Sequence, residues 1–413
     1  MAAKRYLKIF FALWVALIVA IAGFNWWIDP YDMFPSPQSH GVNQEKPEAT
    51  TRQRLSKAYG VSRARPEVLI LGSSRGLAIA AHHEVWANKR VYNLALASTS
   101  LKELYRHLQH ANAEGTVREF ILGLDWITYN DGIGNSSYAD ARLRVDSSGA
   151  ARPFNAAQYM RDIMPSLWSI DAVGASVDTI RNQPSPGETN AAWSARRDRE
   201  RLSRKGGNRS LFLEFEKNTI YEASSQPFAT SRNRGQDGPG TQTMREILRY
   251  AYTHGITARL FISPEHAHLL EIWRATGRWQ EIEFWSRELV RIIAEEAKIA
   301  DKPPFQLWDF SGYNTVTTER IPLPGHTEAP MRWYWEASHY TEALGYVMID
   351  RMYNYQTPLR PTIDDFGVLI ATENIDDHLL ELHAARDVYA AQFSDDVQAI
   401  QSIVDAANRF YHR

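Results

Sequence analysis

The chain has 413 residues, 44 % apolar and 23 % charged, with 46 Lys plus Arg against 48 Asp plus Glu and a formal net charge of −2. Those proportions are ordinary for a folded globular protein. They exclude a largely disordered, collagen-like or multi-span membrane chain, and the near-neutral balance argues against nucleic acid as a partner. With no cysteine in the chain, disulfides, zinc–thiolate sites, iron–sulfur clusters and cysteine nucleophiles all drop out.

Lys4, Arg5 and Lys8 precede an apolar run over residues 9–28, interrupted only by Gly23 and Asn25. A helix of about 20 residues spans roughly 30 Å, the thickness of a bilayer core. The basic flank stays cytoplasmic, which places the rest of the chain outside, in the periplasm of a Gram-negative cell. Trp26, Trp27 and Tyr31 follow where an interfacial aromatic belt belongs. The competing reading is a cleaved signal peptide, with its apolar core over residues 9–19 and Ala20-Ile21-Ala22 as the small-residue site. Apolar and aromatic residues continue past that site. This favours a single-pass inner-membrane anchor over secretion after cleavage near Ala22.

Residues 29–65 are rich in Pro, Ser, Gln and charge and read as a linker or cover. Five short apolar runs follow, at 66–72, 90–94, 119–125, 258–264 and 305–310, each expected as a strand. Helical spacing appears at 101–113, 244–254 and 342–353. Alternation of the two predicts an α/β domain over residues 66–360, a parallel sheet with helices on both faces. From 129 to 243 the rhythm is lost, as expected of a large insertion. Residues 361–413 form a C-terminal helical extension, with amphipathic helices expected over 375–390 and 394–411. Trp273, Trp279 and Trp285 lie near helical spacing and read as core rather than as a carbohydrate platform. Seven basic residues between Arg196 and Arg209 read as a solvated face, the alternative being a grip on anionic polysaccharide or lipid head groups.

In a parallel sheet, ligands bind beyond the carboxyl ends of the strands, so the residues just after each strand carry the chemistry. The first strand ends in Gly72-Ser73-Ser74-Arg75-Gly76. Ser74 in that Gly-flanked turn is placed as a nucleophile, and the start of the following helix would offer N–H groups to an oxyanion; the plainer reading is a capping Ser. Far downstream, Glu336 precedes His339 by three residues at a helix entrance. The carboxylate can orient the imidazole, and the imidazole can take the serine proton. The second strand runs through Asn93 into a turn where the N–H near Ser98 can face an oxyanion, and the third ends at Asp125. Glu265, His266 and His268 follow the fourth strand and read as substrate contacts or a helix start. His-x-His without a third partner gives no metal site. Nothing in the sequence calls for a cofactor.

These blocks resemble the SGNH hydrolase superfamily, most clearly its membrane-anchored periplasmic branch, which includes the O-acetylation proteins of alginate and the D-alanylation protein of teichoic acids. Leu71 to Arg75 is similar to the first block, Asn93 to Ser100 to the second, Gly123-Leu124-Asp125 to the third and Glu336 to His339 to the last. The resemblance implies a three-layer α/β/α, flavodoxin-like fold. It implies Ser74 as nucleophile, His339 as general base and acid, Glu336 as its orienting group, and the Ser74 and Ser98 N–H groups on the oxyanion. It further implies an O-acyltransferase acting on an exported polysaccharide, working with a membrane-bound acyltransferase or a polysaccharide synthase complex. The alternatives are an esterase or deacetylase of acylated glycans, and a catalytically silent polysaccharide-binding scaffold.

The chain departs from that pattern. Ser73 stands for the usual Asp, Ser98 for the usual Gly, Asp125 for the usual Asn and Glu336 for the usual Asp. An ionised Asp125 cannot donate to an oxyanion. It has to be neutralised, turned away or otherwise engaged, and Arg75 is the nearest candidate partner.

Overall fold

A computed structural model describes residues 2–129, 139–225, 238–326 and 330–411. In chain order the helices are α1 (Ala2–Ile28), α2 (Gln53–Ala64), α3 (Leu101–Ala111), α4 (Ala156–Trp168), α5 (Ile170–Arg181), α6 (Asn190–Arg204), α7 (Gly207–Ser225), α8 (Pro239–His254), α9 (Ala267–Ala275), α10 (Trp279–Ala300), α11 (Glu342–Tyr353), α12 (Ile375–Gln392) and α13 (Ser394–Tyr411). The strands are β1 (Val68–Leu71), β2 (Val91–Asn93), β3 (Glu119–Leu124), β4 (Thr257–Ile262), β5 (Gln306–Asp309) and β6 (Val368–Ile370). They divide into two compact units, one of Met1–Ala64 with Ser137–Asp198, the other of Arg65–Ser136 with Arg199–Arg413.

The second unit holds the sheet, ordered β2-β1-β3-β4-β5-β6. All pairs are parallel except the last, where β6 runs antiparallel to β5. The order 2-1-3-4-5 recurs in flavodoxin-like open sheets, and it reverses direction between β1 and β3. Both of those strands are buried along their whole length, which explains why they read as unbroken apolar runs. The sequence reading expects five strands and a purely parallel sheet. The sixth lies in the stretch read as helical, because three residues at a half-exposed edge carry no period to detect.

The first unit is helical. α1 packs against α4 and α5. One helix among the described residues, Ala3–Ile28, is long and apolar enough to cross a membrane. Its C-terminal end is closed by polar groups from the next segment. Asn43 Nδ2 donates to the Trp27 carbonyl at 2.6 Å and Lys46 Nζ to the Ile28 carbonyl at 2.5 Å, satisfying carbonyls that a helix end leaves open. Tyr31, Met33, Phe34, Leu55 and Tyr59 form a buried core with Ala172 and Ala175. Residues 29–64 therefore supply much of this unit's interior. The stretch 129–243 is shared: residues 139–198 belong to the helical unit, and 199–225 and 238–243 to the sheet unit.

Candidate active site

The turn after β1 presents Ser74, and its Oγ lies 2.7 Å from His339 Nε2. His339 Nδ1 is hydrogen-bonded to Glu336 Oε1. An ionised carboxylate only accepts, so Nδ1 carries the proton and Nε2 is left to accept the serine hydroxyl. The loop that carries this pair is a tight reversal. Tyr334 and Tyr340 bridge across it, and the His339 carbonyl accepts from the Trp335 N–H at 2.9 Å. Inside the loop, Glu336 accepts the N–H groups of Ser338 at 2.8 Å and His339 at 2.9 Å. That fixes its carboxylate beside the imidazole. The His339 side chain is 39 % exposed, so the pair opens onto solvent where an acyl group can reach it.

Two glycines let the pieces close. A Cβ on Gly345, in α11 just after the histidine loop, would sit 2.2 Å from the Ala78 carbonyl oxygen, and one on Gly76 would sit 2.9 Å from Ala95 Cβ. α11 thereby presses directly on the serine turn. Asn93 holds the same turn from β2, donating to the carbonyls of Gly76 at 2.9 Å and Ile79 at 2.8 Å. It is thus placed to position the serine turn.

The helix expected after Ser74 is instead a five-residue 3₁₀ turn, Ser74–Ala78. It is too short to add an appreciable dipole, so oxyanion binding there rests on single N–H groups. The Arg75 N–H is taken by Ser73 Oγ at 3.2 Å and the Gly76 N–H by the Ser73 carbonyl at 3.0 Å. The Ser74 N–H makes no hydrogen bond to another described residue. Ser98 is exposed and has φ 49°, in the left-handed region that favours glycine.

Asp125, at the end of β3, faces inward. Its Oδ1 accepts from Arg75 Nη1 at 2.7 Å, and its Oδ2 from the Ser73 hydroxyl. Burial opposes its ionisation, but Arg75 and hydrogen bonds from Ser73, Arg75 and Ser263 outweigh that and hold the carboxyl below the usual range. Arg75 is the hub of this cluster. It also pairs with Glu265 Oε1 at 2.8 Å, and it reaches the histidine loop through Ser338, with Nε donating to the carbonyl at 3.1 Å and Nη2 to Oγ at 2.8 Å. Burial disfavours a charged guanidinium, yet Asp125 and Glu265 keep it firmly protonated, while burial pushes the Glu265 carboxyl up. Trp273 Nε1 donates to the remaining Glu265 oxygen at 2.9 Å. A buried arginine therefore clamps the serine turn, the ends of β3 and β4, and the histidine loop. Ser338 carries no sequence signal beyond lying between Glu336 and His339.

Of the two readings of the residues after β4, the structure shows the helix start, with His266 capping α9. Glu265 belongs to the arginine cluster. His266 is 1 % exposed; its Nδ1 accepts from the His268 N–H at 3.2 Å and its Nε2 donates to the Glu319 carbonyl at 2.8 Å. Burial, with His268 nearby, pushes its pKa down to about 3, so it stays neutral. His268 is 7 % exposed and bonded to Glu216 at 2.7 Å. The His266 imidazole caps α9, and the His268 imidazole ties α9 to Glu216 of α7. Among the described residues no group of three His, Asp or Glu side chains is arranged to hold a metal ion. Behind Asp125 and Glu265 lies a small cavity of about 30 Å³, lined also by Trp279, Trp285 and Asp309.

No family model matches the chain, and no curated protein is significantly similar to it.

Proposed function

We propose that this chain is a membrane-anchored SGNH-type serine O-acyltransferase acting on an exported polysaccharide. The observation that carries the reading is the Ser74–His339–Glu336 relay, with Oγ and Nε2 2.7 Å apart. Ser74 Oγ attacks the acyl carbonyl carbon while its proton passes to His339 Nε2, and Glu336 stabilises the imidazolium. Collapse of the tetrahedral intermediate expels the donor's leaving group, which takes the proton from His339 and leaves acyl-Ser74. The imidazole then deprotonates a glycan hydroxyl, which attacks the acyl-enzyme and restores Ser74. The Ser74 N–H, which makes no hydrogen bond to another described residue, and the left-handed backbone at Ser98 support an oxyanion site.

The strand order and the placement of Ser74 and Asp125 after β1 and β3, at the reversal of the sheet, support a three-layer flavodoxin-like SGNH fold. A retained α1 fits a single-pass protein with its bulk in the periplasm. Ile18, Ile21 and Ala22 are half-buried on the face that also buries Asn25 and Ile28, and cleavage after Ala22 would strip that packing. An anchored acyltransferase suits partners in the same membrane, a membrane-bound acyl donor system or a polysaccharide synthase. Hydrolysis of acylated glycans needs the same residues, with water as acceptor. One observation favours a silent scaffold instead: Asp125 supplies no donor where the family pattern has Asn. Turnover of an acetyl-ester donor, with and without an oligosaccharide acceptor, separates the readings. Wild type should turn over, Ser74→Ala should lose at least about 10³-fold, and acceptor should capture the acetyl group. A folded wild type with no turnover over a panel of donors would leave the scaffold.

A further inference from the structure

We infer that the elbow between α4 and α5 inserts into the outer-leaflet interface of the membrane beside α1, as a second membrane contact of the helical unit. The inference rests on the reading that α1 spans the bilayer. Asn25, wholly buried near the outer end of α1, donates through Nδ2 to the Leu167 carbonyl at 2.8 Å and accepts at Oδ1 from the Ser176 hydroxyl at 2.7 Å. Leu167 closes α4 and Ser176 lies in α5, so the elbow at Ser169 is held level with the last turns of the span. Along α1 the residues that lose solvent are Ile18, Ile21, Ala22, Phe24, Asn25 and Ile28, one side of the helix. α4 and α5 are the helices packed on α1. From Asn25 to Ile18 is about 10 Å at helical rise, so the covered face continues into the apolar part of the helix.

The outward surface of the elbow is apolar. Met160, Met164 and Trp168 recur every fourth residue on α4 and are 51 %, 49 % and 42 % exposed, and Ile170 at the start of α5 is 90 % exposed. Trp26 and Trp27 on α1 are exposed beside the Asn25 junction. A methionine, tryptophan and isoleucine stripe continuous with a membrane span fits the boundary between head groups and acyl chains. Arg161 and Asp171 are also exposed. Charges at those positions belong among head groups, which limits the depth to the interface.

The chain has no cysteine, so single thiols can carry an environment-sensitive fluorophore at Leu13→Cys, Trp168→Cys, Ile170→Cys and Arg181→Cys. Each full-length variant goes into phosphatidylcholine–phosphatidylglycerol vesicles, with nitroxide-labelled lipid or aqueous iodide as quencher and circular dichroism to check the fold. The probes at 13, 168 and 170 should be quenched by the lipid nitroxide and shielded from iodide. The probe at 181, at the far end of α5 about 16 Å from the elbow, should show the reverse. Lipid quenching at 13 with iodide access at both 168 and 170 would overturn the elbow and leave the span standing. Iodide access at 13 would overturn the span itself, and the elbow with it.

Discussion

The two units use buried polar groups in opposite ways. In the helical unit they tie together parts of the chain far apart in sequence: Asn25 holds Leu167 and Ser176, and Tyr59 donates to Asp162 at 2.7 Å while Arg142 grips the same carboxylate at 2.9 Å. These contacts hold the fold. In the sheet unit a buried cluster does the same work, but one layer of it reaches solvent. Arg75, Asp125, Glu265 and Ser338 are enclosed, while the adjoining Ser74 and His339 open outward. The difference teaches that this edge of the sheet combines an enclosed charged base with a solvent-facing Ser–His pair, which a structural network alone does not require.

Removing the centre of the base should have the largest effect. Arg75→Met leaves the Asp125 and Glu265 carboxylates buried without their cation and should cost the sheet unit about 3–5 kcal/mol. Hydrogen exchange would read it as lost protection in β1, β3 and β4, with α4 and α5 unchanged; an unchanged sheet would remove the contrast between the units.

A second effect follows from His268. Burial opposes its charged form, but the Asp396 carboxylate 3.7 Å away and the hydrogen bond to Glu216 raise its pKa to about 9. The folded-state value lies above the unfolded one, so the stabilisation is complete below about pH 6.5 and is lost as pH rises through about 9, up to about 3 kcal/mol in all. Denaturant titrations should show that decline in wild type and a flat profile in His268→Gln. The smallest effect is expected at Ser98. Relief of its left-handed backbone in Ser98→Gly should stabilise by about 0.5–1 kcal/mol net of the added chain entropy, and a loss of stability would mean that the serine side chain holds the turn.

The sheet unit was legible because its signals are local. β1 and β3 are buried apolar runs ending in small or acidic residues, and Glu336 and His339 are three apart, so the strands and that half of the relay can be read within a few residues, whereas joining His339 to Ser74, 265 positions away, takes the order of the post-strand blocks. Arg75 could be named as a partner for Asp125 by adjacency to Ser74. Its hold on Glu265 and Ser338 could not, since those contacts join residues 190 and 263 positions away. The same limit hid the helical unit. Tyr31, Met33 and Phe34 meet Ala172 and Ala175 across more than a hundred residues, with no periodic pattern in residues 29–64 to announce a core. His266 and His268 were read as substrate contacts or a helix start, and the structure shows the helix start; a histidine just after a strand looks the same in sequence whether it faces the crevice or caps a helix.

The central claim is that Ser74 is an activated nucleophile, and covalent capture tests it most directly. The full-length protein is treated with a serine-directed fluorophosphonate and the adduct is mapped by peptide mass spectrometry. The account predicts a single adduct on Ser74, absent in Ser74→Ala and strongly slowed in His339→Ala, with both variants folded. An unlabelled Ser74 in folded wild type, or labelling that persists at full rate without His339, would contradict it.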